Sequence, residues 1–197
     1  MTMVRPILLV FSLLLGAVLA SCATLSEEQC QAGDWRAIGF NDGSRGRPAD
    51  YIANHADACS EYGIAVDQAL YADGRQDGLR QYCRLANAEA EGLSGDRYYG
   101  VCPGELGVSF ARVHRAADAI HEATARINSI DSRITSLIGR IGQPDQTPEQ
   151  IEALRQQLRS LQADRRSQQS RVWSLEQQLA QIRRVEQARL ASLGISA

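Results

Sequence analysis

Several groups of residues have types and spacings that could do chemistry. His55 and Cys59 stand four apart, as two metal ligands on one helical face would, and Cys30, Cys83 and Cys102 could complete a zinc set. His114, Asp118 and His121 fall at i, i+4 and i+7, which lines three potential ligands along one side of a helix. Asp42, Asp73 and Asp77 are carboxylates that could move protons. The run IGFNDGSRGRPAD, residues 38–50, packs Gly39, Gly43 and Gly46 around an Asn-Asp-Gly, in the manner of a loop that cradles a ligand.

Each group has a plainer reading. No Cys-x-x-Cys knuckle accompanies His55 and Cys59. Asn41-Asp42-Gly43 lacks the alternating oxygen ligands and terminal Glu of a calcium loop, and residues 43–46 follow no strand, as a nucleotide-binding turn should. Histidines flanking an apolar seam are commonly surface residues, and the aspartates have Arg45, Arg75 and Arg80 as candidate partners. A serine nucleophile elbow, a zincin helix and a Walker loop are all absent from the sequence. We expect no catalytic residues, no cofactor and no metal, and the chain is not expected to be an enzyme.

The strongest chemical signal lies at the start. Arg5 precedes an apolar run over residues 7–20, about 14 residues, where a spanning helix needs roughly 20. That run closes on Leu19-Ala20-Ser21-Cys22, which resembles the lipobox of bacterial lipoproteins. The resemblance implies that residues 1–21 are a lipoprotein signal peptide and that Cys22 becomes the acylated N-terminus, held on a membrane by its lipid chains. Ala23, where an Asp would suggest inner-membrane retention, favours a lipid-anchored outer-membrane protein facing the periplasm.

Lipidation of Cys22 leaves Cys30, Cys59, Cys83 and Cys102, enough for two disulfides in an oxidising compartment. Composition then divides the chain at Pro103-Gly104. Residues 22–104 hold 7 Arg against 13 acidic residues, net −6; residues 105–197 hold 13 Arg against 10, net +3. Every basic residue is arginine. We expect a tether over 22–29, a Cys- and Gly-rich helical module over 30–104, and a helical hairpin over 105–197.

The hairpin rests on periodicity. Leu154, Leu158, Leu161, Val172, Leu175, Leu179, Ile182 and Leu193 share one frame of spacings three and four, interrupted by Arg165 and Gln168. An earlier seam runs from Phe110 through Val113, Ala117, Ile120, Thr124 and Ile127 to Ile141, with one short step at Ile127 to Ile130. Gly142 suits the residue after a helix end, and Thr147-Pro148-Glu149-Gln150 forms a capping box with proline at N1. Joined by so short a turn, the two seams fold as an antiparallel coiled coil. Arg165 would meet Glu122 or Asp118 across it, and the longer second helix would overrun the first by about 11 residues, by the helical rise.

In the first module, Pro48 can open a helix ending before Gly63, with Tyr51, Ile52, His55 and Cys59 inward. A second helix runs from Asp67 to about Leu85, with Ala69, Leu70, Leu79, Tyr82 and Cys83 inward; residues 91–102 read as irregular. If residues 35–45 are helical and antiparallel to the Pro48 helix, Cys30 reaches Cys59, and Cys83 then closes the following loop with Cys102. On helices, Gly39, Gly43 and Gly46 share one face, and Gly74 and Gly78 repeat the four-residue spacing. Each glycine inside a helix costs about 1 kcal/mol relative to alanine, so paired stripes point to close backbone approach.

The ordered pattern Cys30, Trp35, Ile38-Gly39, Asp42-Gly43, Gly46, His55, Cys59, Tyr71, Asp73-Gly74, Gly78-Leu79, Tyr82-Cys83, Tyr99 and Cys102-Pro103 resembles a family of bacterial envelope lipoproteins known as domain of unknown function 2799. It covers residues 30–103. The resemblance implies an envelope location and supplies no catalytic residues.

The expected protein is therefore all-α, a small disulfide-stapled helical module followed by a long antiparallel coiled-coil hairpin. The hairpin is neither dense in Arg nor interleaved with aromatics, so nucleic acid is not an expected partner. The leading expectation is a non-enzymatic envelope adaptor or structural factor, anchored by its N-terminal lipid and binding another envelope protein through the hairpin. Self-association through the hairpin is a second use of the same surface. The alternative is a periplasmic ligand-binding or enzymatic module with its site in the Gly- and Asp-rich helices.

Overall fold

The computed structural model describes residues 24–196; the expected signal peptide over residues 1–21 and the expected lipid attachment at Cys22 lie outside the described residues. The described chain is all-α. Its helices are α1 (Glu27–Ala32), α2 (Trp35–Ser44), α3 (Ile52–Ser60), α4 (Gln68–Tyr82), α5 (Leu85–Ser94), α6 (Gly104–Ile141) and α7 (Pro148–Ser192), with one 3₁₀ turn, Ala49–Tyr51, leading into α3.

Within the segment expected as a tether, residues 24–29 pack onto the module. Ser26 opens α1 with a capping box: its hydroxyl accepts from Gln29 N–H while the Gln29 side chain accepts from Ser26 N–H. Leu25 is 6% exposed and packs with Cys30, Trp35, Cys59 and Tyr71. Pro48 precedes the 3₁₀ turn rather than opening an α-helix directly, and Asp67 caps α4 by accepting from the N–H groups of Ala69 and Leu70. Those two residues point to solvent, not inward, since the apolar face of α4 begins at Tyr71.

Two disulfides close this region, Cys30–Cys59 between α1 and α3 and Cys83–Cys102 from the end of α4 to the segment before α6. Loops of 29 and 19 residues confine the unfolded chain, and each such crosslink typically contributes about 2–4 kcal/mol.

Residues 85–94 form α5, where the sequence suggested irregular chain over part of the stretch. Its signal is weak because Arg84 offers no capping side chain and Gly92 interrupts the helix-forming residues. Gly92 lies against the His114 carbonyl and Ala117 Cβ, so α5 seats tightly on α6. The core there joins Tyr82, Leu85 and Ala88 to Phe110, Val113 and Ala117, and to Leu179 and Leu190 of α7. Packing thus crosses Pro103-Gly104, and the first turns of α6 belong to the same core as α5.

At about 1.5 Å per residue, the 38 residues of α6 span about 57 Å and the 45 residues of α7 about 68 Å. They form the hairpin, with a second, smaller apolar cluster of Leu137, Leu154 and Leu161 toward its tip. The short step in the α6 seam falls earlier than the sequence suggested. Ala123 is 2% exposed whereas Thr124 faces solvent, so the three-residue spacing runs from Ile120 to Ala123. Leu193 lies past the end of α7 and is exposed; Leu190 is the buried residue near that end.

Candidate functional site

The glycine stretch is a helix crossing. On α2, Gly39 faces the main-chain carbonyl of Tyr71 and Gly43 that of Arg75; on α4, Gly74 faces the carbonyl of Arg36 and Gly78 that of Phe40. A Cβ at any of these positions would collide with backbone, which cannot step aside as a side chain can. Gly46 does not continue the stripe. The helix ends at Ser44, and Gly46 adopts φ +66° with its α-carbon against the Tyr82 ring, a left-handed turn that releases the chain toward Pro48.

This close approach positions a buried polar cluster. Asp42, on the flank of the stripe, accepts at Oδ2 from His55 Nε2 at 2.7 Å and from the Tyr71 hydroxyl at 2.7 Å. Asp42, His55 and Tyr71 are 6%, 3% and 2% exposed. The other face of His55 meets Thr24 Oγ1 at 2.8 Å, and that hydroxyl donates to the Asn54 carbonyl. Burial, and then the hydrogen bond to Asp42, push the Tyr71 phenol well above its ordinary range, so it stays a donor.

An Asp–His pair can relay protons, but this one is sealed under α2, α3 and the N-terminal segment. None of its members lines the clefts described below. The cluster instead fastens Thr24 to the module. Asp42 pairs with none of the candidate arginines Arg45, Arg75 and Arg80; it takes His55 and Tyr71 because the α2–α4 crossing turns it inward. Asp73 is exposed, and Asp77 pairs with Arg36 and Arg80.

The remaining ligand sets are dispersed. Cys59 is in a disulfide. His114 Nε2 donates to the Asp96 carbonyl at 2.7 Å and His121 Nδ1 to the Leu93 carbonyl at 3.1 Å, so these histidines of α6 satisfy carbonyls at and just past the C-terminal end of α5. Among the described residues no three potential ligands converge as a metal site.

The second buried charge lies in the hairpin, where the seam of α7 reaches Glu186, 3% exposed. Its carboxylate accepts from Ser109 at 2.7 Å, Arg112 at 2.8 Å and Arg189 at 2.9 Å. Burial works to raise this carboxyl, but the hydrogen bonds from Arg112, Ser109 and Arg189 outweigh it and hold it at about 2. Arg189 also pairs with Glu105, which ties the end of α7 to the beginning of α6. Sequence reasoning stepped over Glu186, although the position four after Ile182 is a seam position.

Arg165 meets Asp131 at 2.6 Å, not Glu122 or Asp118. Helical side chains lean toward their own N-terminus, and for α7 that direction is the hairpin tip, where Asp131 lies. On the same rod, Ala116, Ala119, Leu175, Ile182 and Val185 line a shallow groove of about 420 Å³ bordered by Arg112 and Arg115. Val185 is 55% exposed, and farther along α7 Trp173 is 65% exposed.

Residues 34–119 match the model of a family described as a protein of unknown function (DUF2799). The matched segment holds the glycine crossing, the Asp42–His55–Tyr71 cluster and Phe110, and it ends within α6 beyond the Pro103-Gly104 boundary in composition. The chain matches no curated protein and no solved structure.

Proposed function

We propose, from the premise that this chain belongs to the DUF2799 family through residues 34–119, that it is a lipid-anchored, non-enzymatic adaptor of the bacterial envelope. In this reading acylated Cys22 holds it on the outer membrane, facing the periplasm. The hairpin then binds another envelope component.

The observation that supports the adaptor role is the apolar surface left open on the rod. The groove floored by Ala116, Ala119 and Ile182, with Val185 at its edge, leaves apolar side chains uncovered, and exposed aromatics such as Trp173 commonly anchor interfaces. Of the carboxylates at the other candidate site, Asp42 is buried and Asp77 is held by Arg36 and Arg80, which favours this reading over an enzymatic one.

Photo-crosslinkers placed at Val185, Trp173 and Ala119 in cells test it. Capture of one envelope protein from these positions, and not from solvent-facing positions on α4, is the expected result. Recovery of only the protein itself and lipid would overturn the adaptor role. Replacement of Cys22 by Ser is expected to release the protein from the membrane fraction, and its retention there would remove the anchor.

A further inference from the structure

The cleft between α4 and the start of α6 has a composition unlike the rest of its module. Residues 22–104 are acidic, net −6, yet three of their seven arginines, Arg75, Arg80 and Arg84, line this cleft and no Asp or Glu does. Its floor is apolar: Leu79, Val101 and Leu106 are half-buried and pack against the Phe110 core, and Gln76, Cys83, Pro103 and, from the segment after α7, Ser196 complete the wall. The volume, about 680 Å³, is that of a small-molecule site.

Two of these arginines pair with no carboxylate among the described residues, and the third shares one. Arg75 donates from Nε and Nη2 to the Arg47 carbonyl, at 3.1 and 2.7 Å, which fixes its guanidinium without neutralising it. Arg80 shares Asp77 with Arg36. Arg84, exposed just beyond the end of α4, has no carboxylate partner among the described residues. A guanidinium fork matches carboxylate and phosphate oxygens, and an apolar floor below such forks accommodates methylenes. An inorganic anion would leave the floor unused, and a neutral chain would leave the arginines unanswered.

We propose that this cleft binds an amphiphile with one anionic head and one acyl chain, the head on Arg80 and Arg84 and the chain over Leu79, Val101 and Leu106. The site is separate from the hairpin groove, so its test stands apart from that of the adaptor role.

The test uses the full lipid-anchored chain in nanodiscs of zwitterionic lipid, labelled with a diazirine-bearing fatty acid and mapped by mass spectrometry. Labelling is expected at residues 79–84 and 101–106, with competition by laurate and by dodecyl phosphate; whichever competes at lower concentration identifies the head as carboxylate or phosphate. The double variant Arg80→Gln/Arg84→Gln is expected to cut labelling at least fivefold with its thermal midpoint unchanged, because both side chains are exposed. Leu106→Asn, a change at the floor, is expected to weaken laurate competition while leaving the arginines in place. Labelling spread evenly over the chain, indifference to the double variant, equal labelling by a diazirine-bearing fatty alcohol, or full competition by inorganic phosphate alone would each overturn the proposal.

Discussion

Gly74 of α4 sets its α-carbon against the main-chain carbonyl of Arg36 on α2, and Gly39 answers it against the carbonyl of Tyr71. Gly74→Ala or Gly39→Ala must force the two helices apart, and we expect a loss of at least about 2 kcal/mol in chemical denaturation. Gly139, on the outer part of α6, meets open space, so Gly139→Ala is expected to raise stability by about 1 kcal/mol through helix propensity alone. Equal effects at the two sites would refute the packing account.

Glu186 makes stability depend on acid. Its carboxyl sits at about 2 in the folded protein against an ordinary 4.5, so the folded state favours the charged form. The resulting stabilisation is fully present above about 4.5 and is lost as pH falls through about 2; its size is on the order of 3 kcal/mol. Denaturation midpoints measured from pH 7 down to pH 2 should show this decline. Glu186→Gln should lower stability at pH 7 and flatten the decline between pH 4.5 and 2.

The hairpin, the all-α class and the disulfide-stapled module are legible because periodicity, capping boxes and cysteine number act locally along the chain. Thr147 and Gln150 announce the start of α7 without tertiary help, and the capping box does form. The Asp42–His55–Tyr71 cluster is not legible in that way. Its members come from three helices, and His55 reads equally well as part of an apolar face until the α2–α4 crossing brings Asp42 beneath it. Helix α5 was missed because its stability comes from Gly92 seating on α6 and from two α6 histidines at its end, contacts that no local pattern in residues 85–94 displays. Gly46 shows the converse: it keeps helical spacing with Gly39 and Gly43, yet it lies past the helix end in a conformation that only its φ reveals.

Thr24 is held two residues beyond the expected lipid attachment point, so an acylated chain would sit against the bilayer with little slack. Thr24→Val removes the hydrogen bonds to His55 and Asn54 and should cost about 1 kcal/mol globally. The amides of Leu25 and Ser26 should exchange markedly faster. Asp42→Asn weakens the buried acceptor shared by His55 and Tyr71 and should cost about 1–3 kcal/mol, since a buried donor is left poorly satisfied. Unchanged exchange at residues 25–26 in the Thr24→Val protein would mean that Leu25 burial alone holds the segment.

Arg165 occupies a seam position between Leu161 and Gln168 in frame, and its partner Asp131 is partly exposed, as is Arg165 itself. An ion pair of that exposure is largely screened by solvent and contributes less than an apolar side chain would gain by filling the seam. Arg165→Leu should therefore raise the thermal midpoint of the protein. A charged residue at one seam position also restricts how helices can pair, and its removal relaxes that restriction. Light scattering on Arg165→Leu should then show a concentration-dependent fraction above monomer mass that exceeds the fraction in the parent protein. A variant that is more stable but unchanged in mass would leave Arg165 without a role in specificity, and a less stable variant would show that the Asp131 pair outweighs seam packing.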